Sequence, residues 1–345
     1  MRNHLIGILC GAFATSALAA SEIPAQTAAP APDLSLDLYA APGQLVDIGG
    51  GRHLNLRCSG SGAPTVMLDG GQGSTSMAWR KLQPLLAKSH RVCSYDRAGY
   101  GFSDAGPLPR TAQAAADDLH ALVRAAKLQT PLILVGHSLA SYIARLYTSA
   151  HPNEVAALVL VDPVSETLAQ DAPAFAQLEA KMSAQNTDYG RSCAQAARNG
   201  ELDKATPAAE ACVPPPFAGL SERLSDSIRQ RYRSAVYWDT GVSERESDAA
   251  NIAAIQSISL ADTDLPLIVL AADGTNDWLP ADQADLRKAA DAGYAAGRAR
   301  IARQSRRGNV VAVAHSSHNI PEEQPAAIAR AVEQAAAQVK AASAK

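Results

Sequence analysis

The segment PLILVGHSLASYIARLY, residues 131–147, contains the strongest fold signal in the chain. It begins with an apolar run, which is typical of a strand buried on both faces of a sheet. The part from Tyr142 to Tyr147 has the spacing of a helix. A strand, a tight turn and a helix are therefore predicted, with Ser138 at the turn.

Ser138 lies in a G-x-S-x-G/A pattern, between Gly136 and Ala140. A serine on such a strand-to-helix turn has a strained backbone that holds its hydroxyl above the sheet. Strand and helix nearly touch there, so small residues are needed on either side, as Gly136 and Ala140 are. The pattern alone is a weak signal, because about a quarter of chains this long contain it by chance. The alternative is therefore a serine in an ordinary loop that happens to follow a glycine. The setting favours Ser138 as a nucleophile.

Strand-like and helix-like runs alternate on both sides of this segment. A β-hairpin is predicted over residues 44–58, around a turn of three glycines. Such alternation predicts a mainly parallel sheet flanked by helices. The further predicted strands are 64–68, 91–95, 131–135, 155–161, 265–271 and 309–313. The predicted helices outside the middle of the chain are 77–86, a helix that begins after Thr111, 280–303 and 325–342.

The alternation stops from residue 164 to residue 263. This stretch is polar and rich in alanine, with helical patches, three consecutive prolines at 214–216 and two cysteines. It is interpreted as a helical cap inserted after the sixth main strand, over the carboxyl edge of the sheet. The core would then comprise residues 43–163 and 264–345.

The N-terminus resembles an export signal over residues 1–19. Arg2 supplies positive charge, Leu5 to Phe13 is apolar, and Ala17-Leu18-Ala19 offers the small residues of a cleavage site. A membrane anchor is the alternative, but the apolar run is too short for a permanent membrane span. Residues 20–42, rich in alanine and proline, are predicted to be a flexible leader. We expect an exported protein, periplasmic or secreted.

Composition excludes several classes of protein. The chain has 345 residues, 47% of them hydrophobic, which is enough for a large core and too much for a disordered protein. Its 31 basic and 34 acidic residues leave a net charge of −3, so neither nucleic acid nor an anionic membrane surface is an expected partner. Five cysteines are too few for a disulfide-built scaffold.

A serine hydroxyl needs a base to take its proton and an acid to orient that base. Enzymes with this turn supply the partners in the order Ser, acid, His. Asp277, in the loop after the predicted strand 265–271, and His318, after strand 309–313, fit that order. His315 competes with His318 for the role of base, and Asp162 and Asp273 compete with Asp277 for the role of acid.

Several segments together resemble the α/β-hydrolase fold with a cap, over nearly the whole chain from Gln44. They are DGGQG at 69–73, DRAGYGFS at 96–103, the serine turn, GTND at 274–277 and the His318 segment up to Gln324-Pro325. Two departures stand out: Asp69-Gly70 replaces the His-Gly of many members, and Ala140 replaces a glycine. The first of these concerns the oxyanion hole.

The resemblance implies site residues. It places the base a few residues beyond the last strand, which favours His318 over His315, and it places the oxyanion donors at the backbone N–H groups of Leu139 and Gly71. His137 would orient the turn. No metal or organic cofactor is implied, and the sequence contains no H-E-x-x-H motif.

The resemblance also implies a disulfide pattern. Cys58 and Cys93 would lie on neighbouring strands of such a sheet, and Cys193 and Cys212 both fall in the predicted cap. Pairing Cys58 with Cys93 and Cys193 with Cys212 is the most economical of the three connectivities that four cysteines allow.

The leading functional hypothesis is a serine hydrolase that cleaves a small-molecule carboxylic ester, or a related acyl bond, through an acyl-enzyme. One alternative is a peptidase of the prolyl-aminopeptidase type, in which Glu222, Glu244 or Glu246 would hold a substrate ammonium group. The other is a non-catalytic binding protein with this fold. An aspartate-nucleophile enzyme is disfavoured because the turn carries Ser138.

Overall fold

A computed structural model of the chain describes residues 32–260 and 263–343. Its centre is an eight-stranded sheet with the order β1-β2-β4-β3-β5-β6-β7-β8. The hairpin β1–β2 is antiparallel and β2 pairs antiparallel with β4, whereas every other pair is parallel. The predicted fold class, a mainly parallel eight-stranded sheet flanked by helices, is confirmed. The strands are β1 Gln44–Asp47, β2 His53–Ser59, β3 Val66–Asp69, β4 Val92–Tyr95, β5 Leu132–His137, β6 Val155–Val161, β7 Leu267–Ala272 and β8 Gly308–Val313.

Helices cover both faces of the sheet. They are α1 Gln83–Leu86, α2 Ala112–Ala125, α3 Ala140–Ala150, α4 Leu168–Asp171, α5 Pro173–Arg198, α6 Pro207–Cys212, α7 Glu222–Tyr232, α8 Ala235–Glu246, α9 Asp248–Ser257, α10 Ala284–Ala302, α11 Ile320–Glu323 and α12 Pro325–Ser343. Within the described ranges, no helix is long and apolar enough to cross a membrane.

Local sequence explains where two helical segments begin. The Thr111 side chain accepts a hydrogen bond from the N–H of Ala114 at 3.0 Å and so caps the start of α2. The helix predicted over residues 77–86 is instead a 3-10 turn, Ser76–Trp79, followed by the short α1. Pro84 lies in the first turn of α1, where its missing N–H costs nothing, but it would have broken a continuous helix.

Two apolar layers hold the sheet. One lies between the sheet and helices α2 and α3, and it includes Leu119, Leu134 and Tyr147. The other lies between the sheet and α12, and it includes Val135, Val159 and Val332. The central strand β5 is buried along its whole length, as its apolar sequence predicted.

Helices α4 to α9, hereafter the inserted helices, lie between β6 and β7. Their helical character was predicted for residues 164–263, and α5 packs against α8 and against α10. That they form a cap over the site stays a prediction, as do the domain boundaries.

The predicted flexible leader needs a correction at its end. Leu34–Ala40 forms a 3-10 helix that packs on α7. Its Tyr39 is buried, and the backbone oxygen of Tyr39 accepts a hydrogen bond from Arg231 at 3.0 Å. Local composition suggested flexibility, but these tertiary contacts order the segment. The predicted export signal and the first part of the leader lie outside the described residues.

Both predicted cysteine pairs are at bonding distance. The sulfur atoms are 2.07 Å apart in Cys58–Cys93, which joins β2 to β4, and 1.98 Å apart in Cys193–Cys212, which joins α5 to α6. Cys58 and Cys93 are directly opposite each other in the antiparallel register. Cys10 lies outside the described residues.

Removing the second disulfide should destabilise the protein. Changing Cys193 and Cys212 together to Ser should lower the free energy of unfolding by about 2–4 kcal/mol, because the cross-link restricts the unfolded chain. Urea unfolding of the oxidised wild type and of the double variant measures this change. Equal unfolding free energies would contradict it.

Candidate active site

Four strand ends bring the candidate residues together. Ser138 follows β5, Asp162 follows β6, Thr275 lies in the loop after β7, and His318 follows β8. Because these strands are parallel, their carboxyl ends meet at one edge of the sheet, where open α/β sheets bind ligands.

Ser138 has the strained turn that its sequence predicted. Its φ is 54°, in the left-handed region that residues with a side chain rarely adopt. The Ser138 N–H donates to the carbonyl of Val161 on the neighbouring strand at 3.0 Å, and this bond holds the turn against the sheet. A Cβ added to Gly136 would lie 2.6 Å from the carbonyl oxygen of Ala140, so only glycine fits there.

The His318 ring is held by Asp162. The distance from His318 Nδ1 to Asp162 Oδ2 is 2.7 Å, and Asp162 is only 1% exposed. In the described part of the chain the ring uses Nδ1 alone for hydrogen bonding, so its Nε2 is left for another partner. The Asp162 carboxylate assigns the Nδ1–H tautomer to a neutral ring.

Asp162 is itself fixed from several directions. Its Oδ1 accepts from Arg298 Nη2 at 2.5 Å and from the N–H of Ala272 at 3.0 Å, and its Oδ2 also accepts from the Thr275 hydroxyl at 3.0 Å. Burial disfavours the charged carboxylate, but the hydrogen bond from His318 and the charge of Arg298 outweigh it and lower the pKa of Asp162. Asp162 therefore remains an anion when His318 is neutral.

The prediction that Asp277 orients His318 is corrected by this geometry. The Asp277 side chain is 69% exposed and contacts Arg287 at 3.3 Å. Asp162, the competing acid, holds the position beside the histidine instead. Asp162 follows β6, the strand next to the serine strand β5, whereas Asp277 lies after β7. Both acids lie between the serine and the histidine in the chain, so sequence order alone does not distinguish them.

The other competing residues also have different partners. Asp273 accepts the backbone N–H groups of His315 and Ser316, at 3.0 and 3.2 Å, and so shapes the turn after β8. The His315 side chain is exposed to solvent. The preference for His318 over His315 agrees with this placement.

His137 supports the neighbouring loop rather than supplying a proton. Its Nε2 donates to the backbone oxygen of His318 at 2.9 Å, and the two rings are 4.8 Å apart. Burial, together with the nearby His318, lowers the pKa of His137 to about 4. The ring is therefore neutral at pH 7 and acts as a fixed donor.

Gly71 lies beside the serine. A Cβ added to Gly71 would be 3.2 Å from Ser138 Cβ and 3.2 Å from His137 Nδ1, so the loop backbone approaches the turn closely. Among the described residues, neither the Gly71 nor the Leu139 N–H donates a main-chain hydrogen bond. Both predicted oxyanion donors are thus free to bind a ligand oxygen.

A buried ionic network lies behind this loop. Arg97 donates to the backbone oxygens of Gly70 and Gly71, at 2.5 and 2.7 Å, and to Asp69 at 2.7 Å. Asp69, which replaces the usual histidine, is 4% exposed and also accepts from the hydroxyl of Tyr95. Its carboxylate thus helps to hold Arg97, which supports the loop.

The inserted helices complete this network. Glu244 of α8 accepts from Arg97 Nε at 3.2 Å and from the hydroxyl of Tyr100 at 2.8 Å, and its side chain is 6% exposed. Burial raises the pKa of Tyr100, which therefore stays a donor at neutral pH. The sequence analysis missed the pairing of Arg97 with Glu244, because 147 residues separate the two.

Glu244→Ala should therefore destabilise the fold. The change leaves a buried guanidinium N–H and a buried hydroxyl without partners, which costs about 3 kcal/mol. Chemical unfolding measures the loss. The matched control is Glu246→Ala on the same helix, whose half-exposed pair with Arg191 should contribute under about 1 kcal/mol. Equal effects of the two changes would refute the role of the network.

Ser138 and His318 line one cavity. It has a volume of about 310 Å³ and is lined by Ser138 and His318 from the sheet edge and by residues from α5, α10 and the loop after β7. Trp278, half exposed, lies beside it and packs against Phe175, with the ring centroids 6.1 Å apart. Glu179 of α5 and Tyr294 of α10 were not singled out by the sequence, because their helical patches carry no motif.

A His–His–Glu group lies elsewhere in the described residues. Ligand atoms of His120, His151 and Glu154 are within 4.8 Å of one another, at the far end of α3 from Ser138. The two imidazole rings stack face to face at 3.7 Å, and Glu154 already accepts from the hydroxyl of Tyr147. These contacts hold the three side chains close together.

Comparisons with known proteins agree with the fold. Residues 64–199 match the family model described as the alpha/beta hydrolase fold. The chain is 37% identical over 147 residues to the 2-hydroxymuconate semialdehyde hydrolase of a Pseudomonas species, a match that covers 38% of this chain and 50% of that protein. A 36% identical match over 130 residues to the probable transporter efuK of Hormonema carpetanum covers 35% of this chain and 18% of that protein.

The aligned regions span only part of the curated relatives, between 17% and 41% of the first three. The crystal structure of a haloalkane dehalogenase variant from Bradyrhizobium elkanii matches 87% of this chain and 97% of its own, at 19% identity and a TM-score of 0.60. The sheet order described above, the match of residues 64–199 to the family model and the likeness to this structure show that the chain has the α/β-hydrolase fold.

Proposed function

We propose that the protein is a serine hydrolase that cleaves a carboxylic ester or a related acyl bond, with Ser138 as nucleophile, His318 as base and Asp162 as the orienting acid. The observation that carries the proposal is the contact of His318 Nδ1 with buried Asp162, while His318 and Ser138 line one cavity. A histidine oriented by a carboxylate, in the same cavity as the serine, supports activation of the serine hydroxyl.

The first half of the reaction would form an acyl-enzyme. His318 Nε2 takes the Ser138 proton while Oγ attacks the substrate carbonyl carbon. The resulting imidazolium is stabilised by Asp162 through its Nδ1–H. The same proton then passes to the leaving oxygen, the ester bond breaks, and an alcohol leaves.

The second half would restore the enzyme. Water loses a proton to His318 and attacks the acyl carbon, and the proton returns to Ser138 Oγ as the acid is released. In both halves, the N–H groups of Gly71 and Leu139 would bind the oxyanion. Such preorganised donors are worth about 10²–10³ in rate each. Arg97 holds the carbonyl of Gly71 and so supports the orientation of this loop.

The peptidase alternative loses its predicted ammonium ligands. Glu244 is paired with Arg97, Glu246 pairs with Arg191 at the surface, and Glu222 is exposed. None of the three lines the cavity of Ser138. The non-catalytic alternative is disfavoured because a candidate nucleophile, base and acid lie at one edge of the sheet.

Fluorophosphonate labelling tests the proposal. A fluorophosphonate reacts with an activated serine, and peptide mapping of the product should find the label on Ser138. A panel of short-chain esters and the corresponding amides should then show faster turnover of the esters. Unlabelled protein, or a label on another serine, would overturn the proposal.

We further propose that the protein is exported, which its predicted signal and its two cysteine pairs support.

A further inference from the structure

The cavity of Ser138 contains one carboxylate that the proposed reaction does not use. Glu179, on α5, lines it together with Ser138, His318 and Trp278. Its Oε1 accepts from the hydroxyl of Tyr294 at 2.9 Å. Within the described ranges, Glu179 makes no ion pair with a lysine or arginine.

An unpaired anion in a partly closed cavity is costly. Burial raises the pKa of Glu179 above its ordinary value, and the negative charge of Asp248 acts in the same direction, while the hydrogen bond from Tyr294 and the nearby His318 oppose it. A bound cation would offset this cost, because buried charges are stabilised by a partner of opposite sign.

One aromatic side chain beside the carboxylate suits a cation as well. Trp278 lines the same cavity as Glu179 and is 49% exposed, whereas the guanidinium of Arg298 already lies over the Tyr294 ring, 5.3 Å from its centroid. Aromatic faces attract ammonium groups within about 6 Å. By the same electrostatics, an acyl group that carries its own carboxylate would be repelled by Glu179.

We propose that Glu179, which accepts from Tyr294 and shares its cavity with Trp278, is a subsite for a positively charged amino group, and that the substrates are esters whose acyl part carries an ammonium. The inference rests on the proposed function only in assigning the bond that is cleaved at Ser138. Glu179 would act in substrate selection and not in the bond-breaking steps.

The test compares esters that differ only in the amino group. Ethyl esters of L-alanine and 4-aminobutanoate are paired with ethyl propanoate and ethyl butanoate, with hydrolysis followed by titration at constant pH. For at least one pair, wild-type kcat/KM should be about tenfold or more in favour of the amino ester, since one charge-assisted contact is worth that much. Glu179→Gln should lower this kcat/KM ratio by about tenfold, because the neutral amide no longer attracts the ammonium group while the intrinsic reactivity of each ester stays the same.

A control and a binding measurement complete the test. Glu210→Gln makes the same change of charge at an exposed site of α6 and should keep the preference. Calorimetry on the Ser138→Ala protein measures binding without turnover. The L-alanine ester should bind more tightly than ethyl propanoate, and adding Glu179→Gln should remove the difference.

The outcomes separate the two proposals. Protein that is labelled at Ser138 but treats both members of each pair alike would overturn the ammonium subsite and leave the hydrolase. Protein that is not labelled, yet binds the amino ester through Glu179, would support the subsite and overturn the nucleophile. A kcat/KM ratio that Glu179→Gln leaves unchanged would overturn the subsite.

Discussion

Replacing Ser138 by Ala should lower kcat by about 10⁶-fold and abolish fluorophosphonate labelling, because no other group would form the acyl-enzyme. The serine lies at φ 54° in a turn whose backbone the strand and helix hold in place, so the smaller alanine should leave the fold intact. Turnover of a chromogenic ester, together with mass spectrometry of the labelled protein, measures both effects.

Ser141→Ala is the matched control. Ser141 lies one turn further along in α3, is fully buried, and its hydroxyl has no hydrogen-bond partner among the described residues. Its removal should leave turnover within a few-fold of wild type and labelling unchanged. Undiminished labelling of the Ser138→Ala protein would show that the nucleophile is elsewhere.

Replacing Asp162 by Asn should lower kcat by about 10⁴-fold, as loss of the orienting carboxylate does in triads generally. The amide can donate to His318 Nδ1, which favours the wrong tautomer, and it no longer stabilises the imidazolium. Asp277→Asn, the same chemical change in the exposed loop, should reduce kcat less than about threefold. Steady-state kinetics on a short-chain ester gives both ratios.

Asp162→Asn also removes a charge from the buried pair with Arg298, so part of the protein could unfold. Near-ultraviolet circular dichroism gives the folded fraction, and kcat is then expressed per folded molecule. Arg298→Gln provides the comparison: it should lower the free energy of unfolding, yet reduce kcat far less than Asp162→Asn. A large loss in the Asp277 variant with little in the Asp162 variant would refute the triad proposed here.

The elements of the core were predictable because each has a local cause. Strand β5 is a continuous apolar run, α2 has a threonine cap, and the glycine turn joins β1 to β2. The helix predicted at 77–86 was wrong where Pro84 interrupts it, although proline in that position is itself a local signal. The leader shows the opposite case, since its order at Leu34–Ala40 depends on α7, far along the chain.

For the candidate site, the positions of Ser138 and His318 at the edge of the sheet were predictable because each is marked by a local pattern, the serine turn and a histidine after the last strand. The acid was not. Asp162 and Asp277 both follow apolar strands, and which of them faces His318 depends on how neighbouring strands align and how each loop turns. Asp277 was chosen from its place in the chain, but the structure turns its side chain to Arg287 and solvent.

By itself, the sequence determined the alternation of strands and helices, the parallel sheet and the turn that carries Ser138. These features depend on the spacing of apolar residues and on the backbone preferences of glycine and proline, which act over only a few residues. Only the tertiary structure decided that Asp162 faces His318, that Arg97 and Glu244 support the Gly71 loop, and that Glu179 enters the cavity. These arrangements bring together charged and polar groups that are far apart in the chain. Burial makes each of them strong, and burial is known only once the elements have packed.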